Sequence, residues 1–128
     1  MVGPILIVED DEAIRDLLLD ALEQDGYEAV AVSNGIEGVA AAQLRSPAVI
    51  LLDLNLPLLD GEGVLRELER QGPHAPVVLM TSDPRGDRLS SAVGVSGYLP
   101  KPFDLDDLIM TIEAAGASHV ALLEYSSL

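Results

Sequence analysis

The sequence predicts an α/β protein whose parallel sheet is covered by helices on both faces. Three observations carry that expectation. Five short apolar runs recur along the chain, helix-length segments separate them, and the runs end abruptly in polar residues. At 128 residues the chain has room for one domain of ordinary size.

Pro4 to Val8 is apolar, rich in branched residues and closed by Glu9, Asp10 and Asp11, the pattern of a strand buried on both faces. Ile14, Leu17, Leu18, Ala21 and Leu22 follow at helical spacing and predict an amphipathic helix stopped by Asp25-Gly26. Glu28 to Val32 is the second strand. Ser33-Asn34 forms a capping turn, and Gly35 to Leu44 is a helix of small residues that Pro47 closes. Ala48 to Leu52 is the third strand and ends at Asp53. A loop with Pro57 and Asp60-Gly61 leads to a helix marked by Val64, Leu65 and Leu68, ended by Gly72-Pro73. Val77 to Met80 is the fourth strand, ending at Thr81-Ser82. The next segment holds Asp83, Pro84, Gly86, Ser90, Ser91 and Gly94 and is a poor helix former. Gly97 to Leu99 is a very short fifth strand before Pro100-Lys101-Pro102. The last helix runs from about Asp104 to about Gly116 with Leu105, Leu108, Ile109 and Ile112 inward. Residues 1–116 thus form the domain, and 117–128 are an extension or tail.

Composition narrows the function. Seven basic residues against 22 acidic ones give a net charge of −15, which argues against binding nucleic acid or an anionic membrane, both polyanions. Apolar residues make up 48% of the chain but aromatics only 3%, so the core is aliphatic and a disordered acidic tail is excluded. The absence of cysteine removes disulfides and thiolate metal sites and points toward the cytoplasm. No apolar run approaches membrane-spanning length, and no basic residue precedes the first acids as a secretory signal would require. The chain reads as a soluble protein.

In an open parallel sheet the carboxyl ends of all strands lie along one edge, where ligands bind. Glu9 and Asp10, Asp53, Thr81 and Lys101, the only lysine of the chain, all fall at such ends. Three carboxylates with one ammonium concentrate like charge, which a cation relieves. Hard oxygen donors suit Mg²⁺, which keeps several waters and takes one or two carboxylates plus a phosphate oxygen. A hydroxyl and a lysine alongside can hold the remaining oxygens of a phosphoryl group. The chemistry indicated is phosphoryl transfer with Asp53 as nucleophile.

ILIVEDD at Ile5 to Asp11, ILLDLNLPLLDG at Ile50 to Gly61, VVLMTS at Val77 to Ser82 and GYLPKPF at Gly97 to Phe103 together resemble the receiver domain of two-component response regulators, of the chemotaxis-regulator kind. The resemblance covers nearly the whole chain. It implies a flavodoxin-like, doubly wound sheet of five parallel strands in the order 2-1-3-4-5, helices on both faces. It further implies that Asp53 is the phosphoacceptor, and that Asp10, Asp53 and the backbone carbonyl of Asn55 hold Mg²⁺ with Glu9 helping through water. Thr81 and Lys101 would bind the phosphoryl oxygens, Thr81 and Tyr98 would form the switch, and the Lys101-Pro102 bond would be cis. The implied partners are a histidine kinase or histidine phosphotransfer protein upstream and an effector protein or output domain downstream, with a homodimer left open. Such a domain signals and is not an enzyme, although it promotes its own phosphorylation and dephosphorylation. Two departures stand out: the stretch from Thr81 to Tyr98 is shorter than the resemblance implies, and Ala117 to Leu128 is too short for an effector domain, with His119 to Tyr125 left open as an extension of the last helix, a segment docked on the surface or the start of something further.

Plainer readings exist for single residues. Asp11 and Glu12 suit a solvated helix start, Thr81 could cap a turn, Tyr98 could be an ordinary half-buried aromatic, and His74 and His119 read as surface residues. Gly61 and Gly63 make no phosphate loop. Two other functions are consistent with an Asp at a strand end. One is a hydrolase of the haloacid dehalogenase type, disfavoured because Asn55 stands where its motif has a second Asp. The other is a degenerate receiver serving as a phosphorylation-independent docking module.

Overall fold

The side chains of a strand alternate between the two faces of its sheet, and here both faces are apolar. In this computed structural model, which describes residues 2–126 and their side chains as far as 116, the odd residues Ile5, Ile7, Val49 and Leu51 share one core cluster with Leu18, Leu22, Leu108 and Ile112. The even residues Leu6, Val8, Ile50 and Leu52 share the other with Val64, Leu65, Leu68 and Leu89. Burial on both faces is the condition for a parallel sheet wrapped by helices.

The elements alternate as expected: β1 (Ile5–Val8), α1 (Glu12–Gln24), β2 (Ala29–Val32), α2 (Gly35–Leu44), β3 (Val49–Leu52), α3 (Gly61–Arg70), β4 (Val77–Thr81), α4 (Arg85–Leu89), β5 (Val95–Pro100) and α5 (Leu105–Ser126). All pairings are parallel, in the order β2-β1-β3-β4-β5. The central strands β1, β3 and β4 are buried throughout, while the edge strands β2 and β5 are only partly so. The α1 and α5 side chains cover one face, those of α2, α3 and α4 the other.

Helix starts follow from local chemistry. Asp11, Asn34 and Asp60 are N-caps whose side chains accept the backbone N–H of Ile14, Glu37 and Gly63; Asp104 does the same for Asp107. Asp11 is therefore a cap and Glu12 the first-turn acid beside it. Helix α1 stops where Gly26 takes φ of 88°, a left-handed conformation that lets Tyr27 N–H reach back to Leu22 O.

Three expectations need correction, and one open reading is decided. Leu17 and Leu105 were expected inward and are exposed; they line an apolar recess between α1 and the segment after β5, beside Lys101 and Phe103. Strand β5 is longer than Gly97 to Leu99, because a bulge opposite Val77 and Val78 accommodates Ser96; Pro100 is tolerated at the end of an edge strand. Of the readings left open for the segment after Gly116, extension of the last helix is the one found: α5 continues to Ser126, since no proline or polar turn follows to stop it. His74 is not a free surface residue: Nδ1 lies 2.7 Å from Ala75 O and Nε2 2.7 Å from Glu69 Oε1. The side chains of His119 and the rest of 117–128 lie outside the described residues. The weak helix former between Thr81 and Tyr98 is the five-residue α4, which has no side-chain N-cap.

Candidate phosphoryl and metal site

Strand register builds this site. Val8 pairs with Leu52, so the next residues, Glu9 and Asp53, emerge side by side, and Asp53 N–H donates to Val8 O across the strands at 3.1 Å. Leu52 pairs with Leu79 and Thr81 with Pro100, which brings Thr81 and, through its N–H to Thr81 O at 3.0 Å, Lys101 to the same edge. The Lys101-Pro102 bond is cis.

Glu9, Asp10 and Asp53 each present a carboxylate oxygen, all within 4.8 Å of one another. Glu9 is 1% and Asp53 5% exposed, while Asp10 faces solvent. Lys101 Nζ joins the two buried acids, donating to Glu9 Oε1 at 2.5 Å and Asp53 Oδ2 at 3.1 Å. Asp53 Oδ1 accepts the N–H of Asn55 at 3.3 Å. Burial pushes the Glu9 carboxyl above its ordinary range, aided by the charge of Asp53 and opposed by the hydrogen bond from Lys101. Burial pulls the Lys101 ammonium down, but its hydrogen bond to Glu9 and the charges of Asp53 and Glu9 outweigh that and leave it raised. One ammonium thus offsets one of three carboxylates, and the oxygen-only donor set fits a hard divalent cation that retains water.

Thr81 is fully buried, and its hydroxyl accepts the N–H of Asp83 at 3.0 Å. The turn-capping reading of Thr81 is therefore part of the picture, and the hydroxyl proton remains available to a second acceptor. Tyr98 is half-buried beside Gly86 and Thr81: a Cβ on Gly86 would lie 2.7 Å from Tyr98 Oη and 2.9 Å from Thr81 Cγ2. The absence of that methyl is what lets both the Tyr98 ring and the Thr81 side chain approach Gly86.

Two arginines were not singled out from the sequence. Arg15 Nη1 donates to the carbonyls of Glu9 at 3.1 Å and Asp10 at 3.0 Å, pinning the loop that carries both acids. A cation so near the N-terminus of a helix opposes the helix dipole, and that anomaly was the available signal. Arg85 spans two loops, meeting Asp83, Asp60 and Asn55. Asp83 is two residues away, but Asp60 and Asn55 lie 25 and 30 residues from it in sequence, so no local pattern marks the bridge between the loops.

The loop after Asp53 carries one strained residue. Leu58 has φ of 69° and is 79% exposed, so its Cβ meets the steric penalty of the left-handed region with little packing in return. Leu58→Gly should raise the stability by about 1 kcal/mol, the relief exceeding the entropy a glycine adds to the unfolded chain. A denaturant melt with an unchanged or lower midpoint would show that packing of Leu58 outweighs its strain.

Residues 5–113 match the family of response regulator receiver domains, and the chain belongs to that family. It is 40% identical over 115 residues, 88% of its length, to the uncharacterized transcriptional regulatory protein YkoG of Bacillus subtilis, of which the match covers 50%. The chain thus spans half or less of the curated relatives it matches first. The structure superposes with a TM-score of 0.85 on a response regulator receiver domain protein from Clostridium thermocellum, at 30% identity over 94% of this chain and 99% of that one. With a TM-score of 0.81 and 30% identity, over 91% of this chain and 99% of the other, it also resembles the receiver domain of the sensor histidine kinase PA1611 from Pseudomonas aeruginosa PAO1, which holds a magnesium ion in its active site cleft. The flavodoxin-like order β2-β1-β3-β4-β5 is that of the family. A receiver is a signalling domain, and the hydrolase reading falls with the family assignment. Among the described residues, no helix is long and apolar enough to cross a membrane.

Proposed function

We propose that this chain accepts a phosphoryl group on Asp53 from a histidine kinase or histidine phosphotransfer protein and thereby switches a protein–protein contact. The observation that supports this most is the cluster of Glu9, Asp10 and Asp53 with Lys101 bridging its two buried members. An Asp53 carboxylate oxygen attacks phosphorus, the P–N bond to the donor imidazole breaks, and its electron pair leaves with the imidazole. Asp10, Asp53 and the Asn55 carbonyl would hold Mg²⁺, with Glu9 acting through water; when bound, the ion neutralises charge on the phosphoryl oxygens. Lys101, already on Asp53, and the Thr81 hydroxyl would take the other oxygens. Motion of Thr81 toward them would vacate space beside Tyr98, repacking the face made by Tyr98, β5 and α5 for an effector or output domain. The apolar recess beside Lys101 offers the donor protein an apolar surface next to that residue.

Nothing specific favours the degenerate docking reading, since the acids, Thr81 and Lys101 stand together. Beryllofluoride, a phosphoryl mimic, should bind only with Mg²⁺ present and not to Asp53→Asn. Exposure to acetyl phosphate with Mg²⁺ should add one phosphoryl mass to the parent protein and none to the variant. Binding that survives full chelation, or an unchanged intact mass, would overturn the proposal.

A further inference from the structure

Resting on the proposed phosphoryl chemistry, we infer that Arg85 is a positioning residue, a clasp that ties the loop after β4 to the loop after β3 and holds Thr81 in its unliganded position. Arg85 Nε and Nη2 grip the carboxylate of Asp83, each at 3.1 Å, and Nη1 reaches Asp60 Oδ2 at 3.1 Å on the other loop. Nη2 also approaches Asn55 Oδ1 at 3.5 Å. Asp83 in turn gives its backbone N–H to Thr81 Oγ1. A continuous chain of bonds therefore runs from the hydroxyl expected to capture a phosphoryl oxygen to the N-cap of α3, which the loop holding Asp53 leads into.

The pairing leaves its mark on each group. The Asp83 carboxyl lies below its usual range, held first by the Arg85 side chain. Asp60 lies below it too, held first by the Gly63 N–H and then by Arg85, whose own guanidinium is raised by both acids. Asp83 Oδ1 also accepts the backbone N–H of Arg85 at 2.8 Å, which fixes the entry into the five-residue α4, whose N-cap residue Pro84 offers no side-chain acceptor. Rotation of Thr81 toward Asp53 would take Oγ1 off the Asp83 N–H unless Asp83 followed, and Arg85 anchors Asp83 to Asp60. The clasp therefore opposes capture and sets how readily the domain switches.

The sign of the effect separates this from simple electrostatics. Removing a cation near an anion site should weaken anion binding, whereas releasing the clasp should strengthen it. With Mg²⁺ present, Arg85→Ala should bind beryllofluoride about two- to fivefold more tightly in calorimetry, the range that partly exposed ion pairs supply. Asp60→Asn keeps a competent N-cap and should act in the same direction but less strongly, because Arg85 Nη1 also lies 3.8 Å from Glu62 Oε1 in the first turn of α3. The double variant should bind no more tightly than Arg85→Ala, because both break one connection. Arg85→Lys, which holds one carboxylate but cannot fork between two, should lie between parent and Arg85→Ala. In the unliganded Arg85→Ala protein the Asp83 amide resonance should move part of the way toward its position in the liganded parent. Equal or weaker binding by both Arg85→Ala and Asp60→Asn, with the parent binding normally, would overturn the clasp alone. Failure of the parent to bind would overturn the phosphoryl reading and the clasp with it.

Discussion

Gly61→Ala should destabilise the domain by about 3 kcal/mol, at the upper end for an overpacked site, and lower the melting midpoint by about 10 °C. A Cβ at Gly61 would lie 2.4 Å from Asp53 O and 2.6 Å from Leu54 Cα. Both are backbone atoms at the end of a central strand, and neither can rotate away. Gly61 also donates its N–H to Leu54 O at 2.9 Å, so the first residue of α3 is stitched to the turn that follows β3. The opposite side of this loop is equally tight: a Cβ at Gly35, the first residue of α2, would meet Leu59 O at 1.8 Å. Two helix N-termini therefore press on the loop between Asp53 and Asp60, and neither allows a methyl group between helix and loop. A calorimetric melt of Gly61→Ala within 2 or 3 °C of the parent would show that the loop can slide, and that the glycine is not what holds Asp53 in place.

That clamp shows which parts of the site could be read from the chain. Glu9, Asp53 and Thr81 each follow an apolar run, and a parallel sheet carries every such ending to one edge, so their meeting was legible without any long-range contact. Their spacing was not legible, because it depends on the register that pairs Val8 with Leu52 and leaves Glu9 and Asp53 adjacent. The glycines were legible as turn signals, but the backbone atoms that exclude a side chain at Gly35 and Gly61 belong to another segment. The elements least well read were those whose shape depends on a neighbour. Strand β5 gains length from a bulge set by β4. Helix α4 is held by a guanidinium bonded to Asp60 on a different loop. Leu17 and Leu105 satisfy helical periodicity yet lie at the rim of the stripe, where they line an open recess and, among the described residues, stay exposed.

Lys101→Met should cost about 2 to 3 kcal/mol at neutral pH without divalent cation, because a buried carboxylate then loses its charged hydrogen-bond partner. Glu9 is the group at stake. Its side chain is 1% exposed against 18% for Lys101, so water can replace the ammonium only in part, which keeps the loss below that of a fully buried pair. Methionine follows the lost side chain as far as Cε and lacks only the terminal ammonium, so the change reports on charge more than on packing. The pH dependence has a definite sign. Burial already holds the Glu9 carboxyl above its ordinary value of 4.5, so the folded state keeps a proton that the unfolded chain has released, and stability falls as pH rises through that interval. Without Lys101, the hydrogen bond and charge that restrain the rise are gone, and the carboxyl moves further up. The deficit of the variant should therefore shrink as the pH is lowered from neutral toward 4.5. Asp60 and Asp83 do not blur that window. Their carboxyls are depressed below an ordinary 3.8, so their contributions are present above that value and are lost only at lower pH. Excess Mg²⁺ should raise the midpoint of the variant more than that of the parent, since three carboxylates then face the ion with no ammonium competing for them. Denaturant melts at several pH values, with chelator and with Mg²⁺, provide the measurement. A deficit that stays constant with pH would mean that Lys101 supports the fold through its aliphatic stem, and that Glu9 is satisfied without it.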